Sequence, residues 1–214
     1  MGDEEQIQQS EILNLESKTP ASPLLTSLPP YSSSPDFLTS PLLSSPASRS
    51  IHLILLIGLP GSGKSTIASK LTQACPQRRL ISTDRIRSQL FGDESIQGSW
   101  VKVWQEVGNQ FRQAVQHIAI GEVSEAIFDA TNVVRKQRRE AIALAHTVGF
   151  TYITGLWLNP PLWVCLERNE RRDRQVPTSV ILDMYRSLIG APPSLQEGLN
   201  KLVEVKGRAQ YPNL

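Results

Sequence analysis

Only two cysteines, Cys75 and Cys165, occur in the 214-residue chain. They are too few for a disulfide framework and their separation matches no zinc-ligand spacing. A reducing, cytoplasmic compartment is the simplest expectation. Aromatic residues are sparse, at 6%, and there are three histidines. His52, His117 and His146 stand apart from one another in sequence, which favours satisfied structural roles over a catalytic cluster. No run approaches the roughly 18 to 20 apolar residues needed to cross a bilayer, so no membrane association is expected. The start, with Asp3, Glu4 and Glu5, lacks the basic and then apolar pattern of a secretory signal.

What charge there is falls unevenly. Residues 1 to 50 carry six acids and two bases, a balance of −4 within a whole-chain charge of +2, so the remainder stands at +6. Between Pro20 and Ser50 there are ten serines and seven prolines. Proline removes backbone donors and serine competes for backbone hydrogen bonds, so residues 1–50 are expected to form a disordered arm. Its leucine pairs, Leu24 with Leu25 and Leu42 with Leu43, read as parts of a solvated linker before they read as a docking motif. Residues 6 to 18 have the apolar spacing of a short helix, marginal without something to pack against.

From Ile51 the pattern changes. The run Ile51 to Ile57 is apolar on both faces, as a central strand of a parallel sheet must be when helices cover both sides. A Gly-rich turn and a helical stretch, Lys64 to Ala74, follow. Arg79 to Ser82, Ala126 to Phe128 and Phe150 to Leu158 read as further strands. Trp100, Val103, Trp104, Val107, Phe111 and Ile118 recur at helical spacing, as do Ala141, Leu144 and Ala145. Alternating strands and helices predict an α/β fold with a mostly parallel sheet. The expected domain spans 51–205, with a tail over 206–214.

Gly58-Leu59-Pro60-Gly61-Ser62-Gly63-Lys64-Ser65 satisfies G-x-x-x-x-G-K-[ST] between a predicted strand and a predicted helix. Glycines let the backbone curl around an anion with N–H groups inward, and the helix adds its positive end. Gly58, Pro60, Gly61, Ser62, Gly63, Lys64, Ser65 and Thr66 are therefore the expected ATP-binding segment. Lys64 reaches the β- and γ-phosphates and Ser65 holds Mg²⁺.

A phosphotransferase also needs a group that receives the acceptor's proton, a handle for the acceptor, and cations against the developing charge. Asp84 falls just past the second strand, with Arg87 one helical turn on. Asp84 fits two readings equally, a carboxylate facing the γ-phosphate or the N-cap of a helix over Arg85 to Phe91. In Glu167 to Arg174, Arg168 and Arg172 share a face if the segment is helical, while Arg171 turns toward Glu167. That pair can clamp phosphates as a lid, or belong to a solvated helix whose charges pair internally.

The order of Gly58 to Ser65, Asp84 with Arg87, Asp129-Ala130-Thr131-Asn132, and Arg168 to Pro177 with Val180 to Tyr185 resembles the 5′-hydroxyl kinase domain of phage-type polynucleotide kinases, over about residues 51 to 190. The resemblance implies a P-loop NTPase three-layer sandwich with a mostly parallel central sheet and an Arg-bearing helical lid, a kinase domain over 51–205. It also implies ATP and Mg²⁺ as cofactors, Asp84 as general base, Arg87 on an acceptor phosphate, Arg172 on the donor phosphates, and Asp129 as a Walker-B-like carboxylate for the metal. It implies transfer to a polynucleotide 5′-hydroxyl of DNA or RNA. Arg85 stands where the phage member has a second acid, and the segment from Arg172 to Pro177 is one residue shorter. No D-x-D-x-T phosphatase signature follows, so a stand-alone kinase is expected. A metabolite acceptor, and a non-kinase ATP-binding module that recruits a partner through the arm, are the competing readings.

Three features stay outside that set. Trp100 and Trp104 fit core packing better than base stacking. Trp157 and Trp163, around Asn159-Pro160-Pro161, read as packing. Arg135, Lys136, Arg138 and Arg139 read as a solvated helix face, with guidance of a nucleic-acid backbone as the alternative.

Overall fold

The computed structural model describes residues 50–93 and 98–207. The expected arm up to residue 49, with its leucine pairs and its helical stretch, and the tail from 208 onward lie outside the described residues. Five strands form one sheet: β1 (His52–Ile57), β2 (Arg78–Ser82), β3 (Glu125–Asp129), β4 (Tyr152–Leu158) and β5 (Lys201–Val205). Their spatial order is β2-β3-β1-β4-β5, and every neighbouring pair is parallel. Among the described residues six α-helices lie between them: α1 (Lys64–Ala74), α2 (Thr83–Phe91), α3 (Trp100–Ala119), α4 (Arg135–Val148), α5 (Leu162–Glu170) and α6 (Thr178–Gly190). This is the expected P-loop α/β architecture. The fifth strand has no counterpart among the strands expected from the sequence, because Lys201 and Glu204 are exposed and the others only half-buried, an edge-strand pattern with little apolar signal.

The core follows from strand alternation. Leu53, Leu55 and Ile57 of β1 join Val103, Val107, Phe111, Ala114 and Ile118 of α3 and Ala141, Ile142 and Ala145 of α4 in one buried cluster. Phe111 sets its ring edge-on to Phe128 and Phe150, at 5.1 and 5.6 Å between centroids. Ile54 and Leu56, on the opposite face of β1, are equally buried. No helix among the described residues is long and apolar enough to cross a membrane.

At the amino ends of the strands, buried Glu125 accepts from Arg78 and lies 2.6 Å from His52 Nδ1. The other His52 nitrogen is 2.9 Å from Thr154 Oγ1, so one polar chain ties four strands together. Burial pushes the Glu125 carboxyl up, but the hydrogen bonds from His52 and Arg78, with their charge, outweigh it and hold its pKa below 4.5. His146 Nε2 meets the Gly198 carbonyl at 2.9 Å, another structural partner.

The basic cluster of α4 divides. Lys136 and Arg139 are exposed as expected, but Arg138 is completely buried. It forks onto both carboxylate oxygens of Glu197 and donates to the carbonyls of Asn132, Val133 and Ala191. The solvated-face expectation is thus wrong for Arg138. Its partner lies 59 residues away in sequence, so helical spacing alone carried no sign of it.

Candidate active site

β1 lies between β3 and β4, so the chain leaves its carboxyl end at the point where the strand order reverses and crevices open in such sheets. There Gly58 and Gly61 have φ of 157° and 79°. A Cβ on Gly61 would sit 2.3 Å from the Cys165 carbonyl oxygen, and one on Gly58 would sit 2.8 Å from that of Leu158. The loop is therefore pressed against α5 and β4, and only glycine fits. Gly63, at φ 99°, occupies the N-cap of α1 and has no side chain to cover the first backbone N–H groups.

Lys64 is buried, with Nζ donating to the Leu59 carbonyl at 2.8 Å and lying 3.4 Å from Ser62 Oγ. Burial pushes its pKa down to about 8, against the attraction of Asp129. Ser65 and Thr66 are exposed on the first turn of α1.

The register of β2 with β3 pairs Ser82 with Asp129, which brings two carboxylates to the same sheet edge. Asp129 is buried and hydrogen-bonded by Ser65; burial raises its pKa, the Ser65 bond and Lys64 oppose this, and Asp84 adds to it. The turn after Asp129 is bolted to the phosphate loop. Gly58 N donates to the Thr131 carbonyl at 3.0 Å, and Asn132 Nδ2 donates to the Leu56 carbonyl at 2.7 Å. Arg138 holds this turn from behind through the Asn132 and Val133 carbonyls.

Asp84 is not an N-cap. The helix starts at Thr83 and not at Arg85, with Ser82 in the capping position and Asp84 in the first turn. Arg87 donates to the Asp84 carboxylate at 2.9 Å, and Arg174 approaches it at 3.6 Å. The lid also differs from a single helix. α5 ends at Glu170, so Arg168 is helical whereas Arg172 lies beyond the helix. Asn169 explains the break: it is buried, and its side-chain amide grips the Val176 backbone in both directions, at 2.8 and 3.0 Å. Arg171 does pair with Glu167, at 2.6 Å. Arg168 NH1 lies 3.9 Å from where a Gly63 Cβ would stand, and Arg172 is close enough to lower the Lys64 pKa.

These parts enclose a cleft of about 810 Å³ lined by Lys64, Ser65, Asp84, Arg87, Asp129 and Arg172, among others. Two further sets of residues reach it that the sequence reading does not count among the site residues. Arg174 belongs to the arginine run, but only the turn after α5 directs it to Asp84. Trp100 and Trp104 line the same cleft, and Trp100 is 46% exposed, so the core-packing expectation fails for it. Trp157, in contrast, packs on the core as expected.

Ser65 and Asp129 offer two adjacent hard oxygen donors at the foot of the loop, a set that suits Mg²⁺, which takes few protein ligands and keeps several waters. No group of three or more His, Cys, Asp and Glu gathers among the described residues.

A glycine-built anion loop at the switch point of a parallel sheet, facing a buried carboxylate at the end of the neighbouring strand, defines a kinase-like P-loop nucleotide-binding domain. Residues 53–191 match the AAA domain family, and the chain belongs to it. An L-seryl-tRNA(Sec) kinase of Methanococcus maripaludis is 31% identical over 137 residues, covering 62% of this chain and 51% of that protein. Among solved structures, the Pnkp1/Rnl/Hen1 RNA repair complex contains a chain similar in fold, with a TM-score of 0.55 and 19% identity over 71% of this chain and 47% of that one. Chaetomium thermophilum Kti12, solved with ADP-AlF3, has a TM-score of 0.50 and 20% identity over 72% of this chain and 88% of that one. The chain spans about half the length of the tRNA kinase and of the repair-complex chain that it matches.

Proposed function

We propose that this protein moves the γ-phosphoryl of ATP to a hydroxyl, with a polynucleotide 5′-hydroxyl as acceptor. The observation that carries this reading is Asp84, a carboxylate held by Arg87 and Arg174 in the cleft that also holds Lys64, Ser65 and Asp129. The loop from Gly58 to Thr66 cradles the phosphates, with Lys64 on the β- and γ-phosphates. Ser65 and Asp129 would hold Mg²⁺, which when bound neutralises charge on those phosphates. Asp84 orients the acceptor hydroxyl and takes its proton as the oxygen attacks phosphorus and the bond to the ADP oxygen breaks. Arg87 releases part of its hold on Asp84 to an acceptor phosphate. Arg168 and Arg172 stabilise the charge that develops on the transferred group.

A second reading keeps this chemistry and changes the acceptor to the seryl hydroxyl of an aminoacyl-tRNA. It is favoured by the 31% identity to a protein named L-seryl-tRNA(Sec) kinase. Incubation with γ-labelled ATP and Mg²⁺, with 5′-hydroxyl DNA and RNA oligonucleotides in one arm and seryl-tRNA in the other, separates them. Label on the oligonucleotides, lost in Lys64→Ala, supports the first reading. Label confined to the seryl group moves the acceptor to the second, and hydrolysis with no labelled nucleic acid removes both.

A further inference from the structure

Trp100 opens α3, yet the buried stripe of that helix starts only at Val103 and runs through Val107 and Phe111. The indole of Trp100 stacks on that of Trp104, with centroids 5.8 Å apart and planes inclined by 24°. The guanidinium carbon of Arg87 lies 5.8 Å from the centroid of the Trp100 ring, and the same guanidinium holds Asp84. Arg87 Nε is buried and has no hydrogen-bond partner. Trp100, Trp104, Arg87 and Asp84 all line one cleft. A large indole left 46% exposed beside the proposed base is poorly explained by packing, since the core stripe is complete without it.

We propose that Trp100 is a stacking platform for a planar base of the acceptor, next to the hydroxyl that Asp84 receives. Trp104 braces the indole, and Arg87 bridges from its ring to the carboxylate, so the base and the hydroxyl are set at a fixed separation. The inference rests on Asp84 being the group that faces the acceptor. An aromatic wall holds any nucleobase, because each has a π-face, and gives sugars or amino-acid side chains much less. It therefore selects for a nucleotide end without selecting for its sequence.

The test compares 5′-hydroxyl oligonucleotides that carry a normal or an abasic terminal residue, with the full chain as wild type, Trp100→Ala and Trp100→Phe. Wild type is expected to show a KM about tenfold lower for the base-bearing end. Trp100→Ala should raise that KM to the abasic value with a smaller effect on kcat, and Trp100→Phe should restore most of the difference. A preference that survives in Trp100→Ala, or is missing in wild type, overturns the platform. Labelling of neither oligonucleotide by wild type means that the 5′-hydroxyl reading has failed instead. In that event, tryptophan fluorescence titrated with adenosine in saturating ADP decides the matter. Saturable quenching that is lost in Trp100→Ala supports the platform with another base-bearing acceptor, and unquenched emission, or quenching that persists in the variant, rejects it.

Discussion

Strand β3 begins and ends on a buried carboxylate, Glu125 at 7% exposure and Asp129 at 8%. Their acidities move in opposite directions, Glu125 below its ordinary value and Asp129 above it. Burial raises both, so partners make the difference. Arg78 and His52 compensate Glu125 within the protein, and that end of the sheet is internally satisfied. At the other end Lys64 is pushed down while Asp129 is pushed up, each toward its neutral form. Opposed shifts of neighbouring groups in a cleft mark charges arranged for a ligand more than for the fold. One pole of the strand holds the sheet together, and the other is available for chemistry.

The largest expected effect belongs to the chemical pole. Asp84→Asn keeps the shape and the partners' reach but removes the proposed proton acceptor, and kcat should fall by about 10²- to 10⁴-fold. ADP affinity should stay within a small factor, because Asp84 touches the arginines and not the phosphate loop. Single-turnover transfer and ADP titration read these separately, and unchanged turnover removes Asp84 from the mechanism. Next comes the structural pole. Glu125→Ala leaves the nearly buried Arg78 without its countercharge, a loss of about 3–5 kcal/mol, measured by urea unfolding. The sign follows from linkage. A depressed carboxyl pKa contributes stability that is present above pH 4.5 and lost as pH falls through the lower folded value. Wild type should therefore converge on the variant in acid.

The two poles were unequally legible in the sequence. The phosphate loop is eight consecutive residues whose glycines answer to backbone collisions at fixed positions, so a linear pattern recorded it. Asp129 was legible for a similar reason, as the last residue of a short apolar run followed by a turn. The pairing of Glu125 with Arg78 and His52 crosses three strands and left no local trace. The same holds for Arg138, whose charge suggested solvent while its partner Glu197 lay far along the chain. In the lid, composition revealed the arginines but not the helix end at Glu170, because the gripping of Val176 by Asn169 is a tertiary event. Trp100 kept helical spacing with a buried stripe, and periodicity cannot tell the first exposed turn from the buried ones.

Asp129→Asn sharpens the contrast at smaller magnitude. A raised carboxyl pKa means that the ionised form is a cost to the folded state at neutral pH, so the amide should increase stability by about 0.5–2 kcal/mol. Turnover should fall in the same variant. A thermal shift upward alongside lost transfer places Asp129 opposite to Glu125, whose removal lowers stability. A variant destabilised as strongly as Glu125→Ala breaks the comparison.

The smallest effect is a single proton. With its pKa pushed down to about 8, Lys64 is partly neutral in the free protein above that pH, whereas a polyphosphate beside it favours the charged form. ADP binding, measured without divalent ion, should then take up a proton, with the uptake growing toward one as pH rises from about 8 to 9. Affinity should fall over the same interval, since protonation becomes part of the cost of binding. Calorimetry in two buffers of different ionisation heat reads the uptake directly. Lys64→Arg supplies the control, because a guanidinium stays charged throughout and should bind with no uptake. Equal uptake in the variant would assign the proton to another group and leave Lys64 an ordinary surface-like cation, despite its burial.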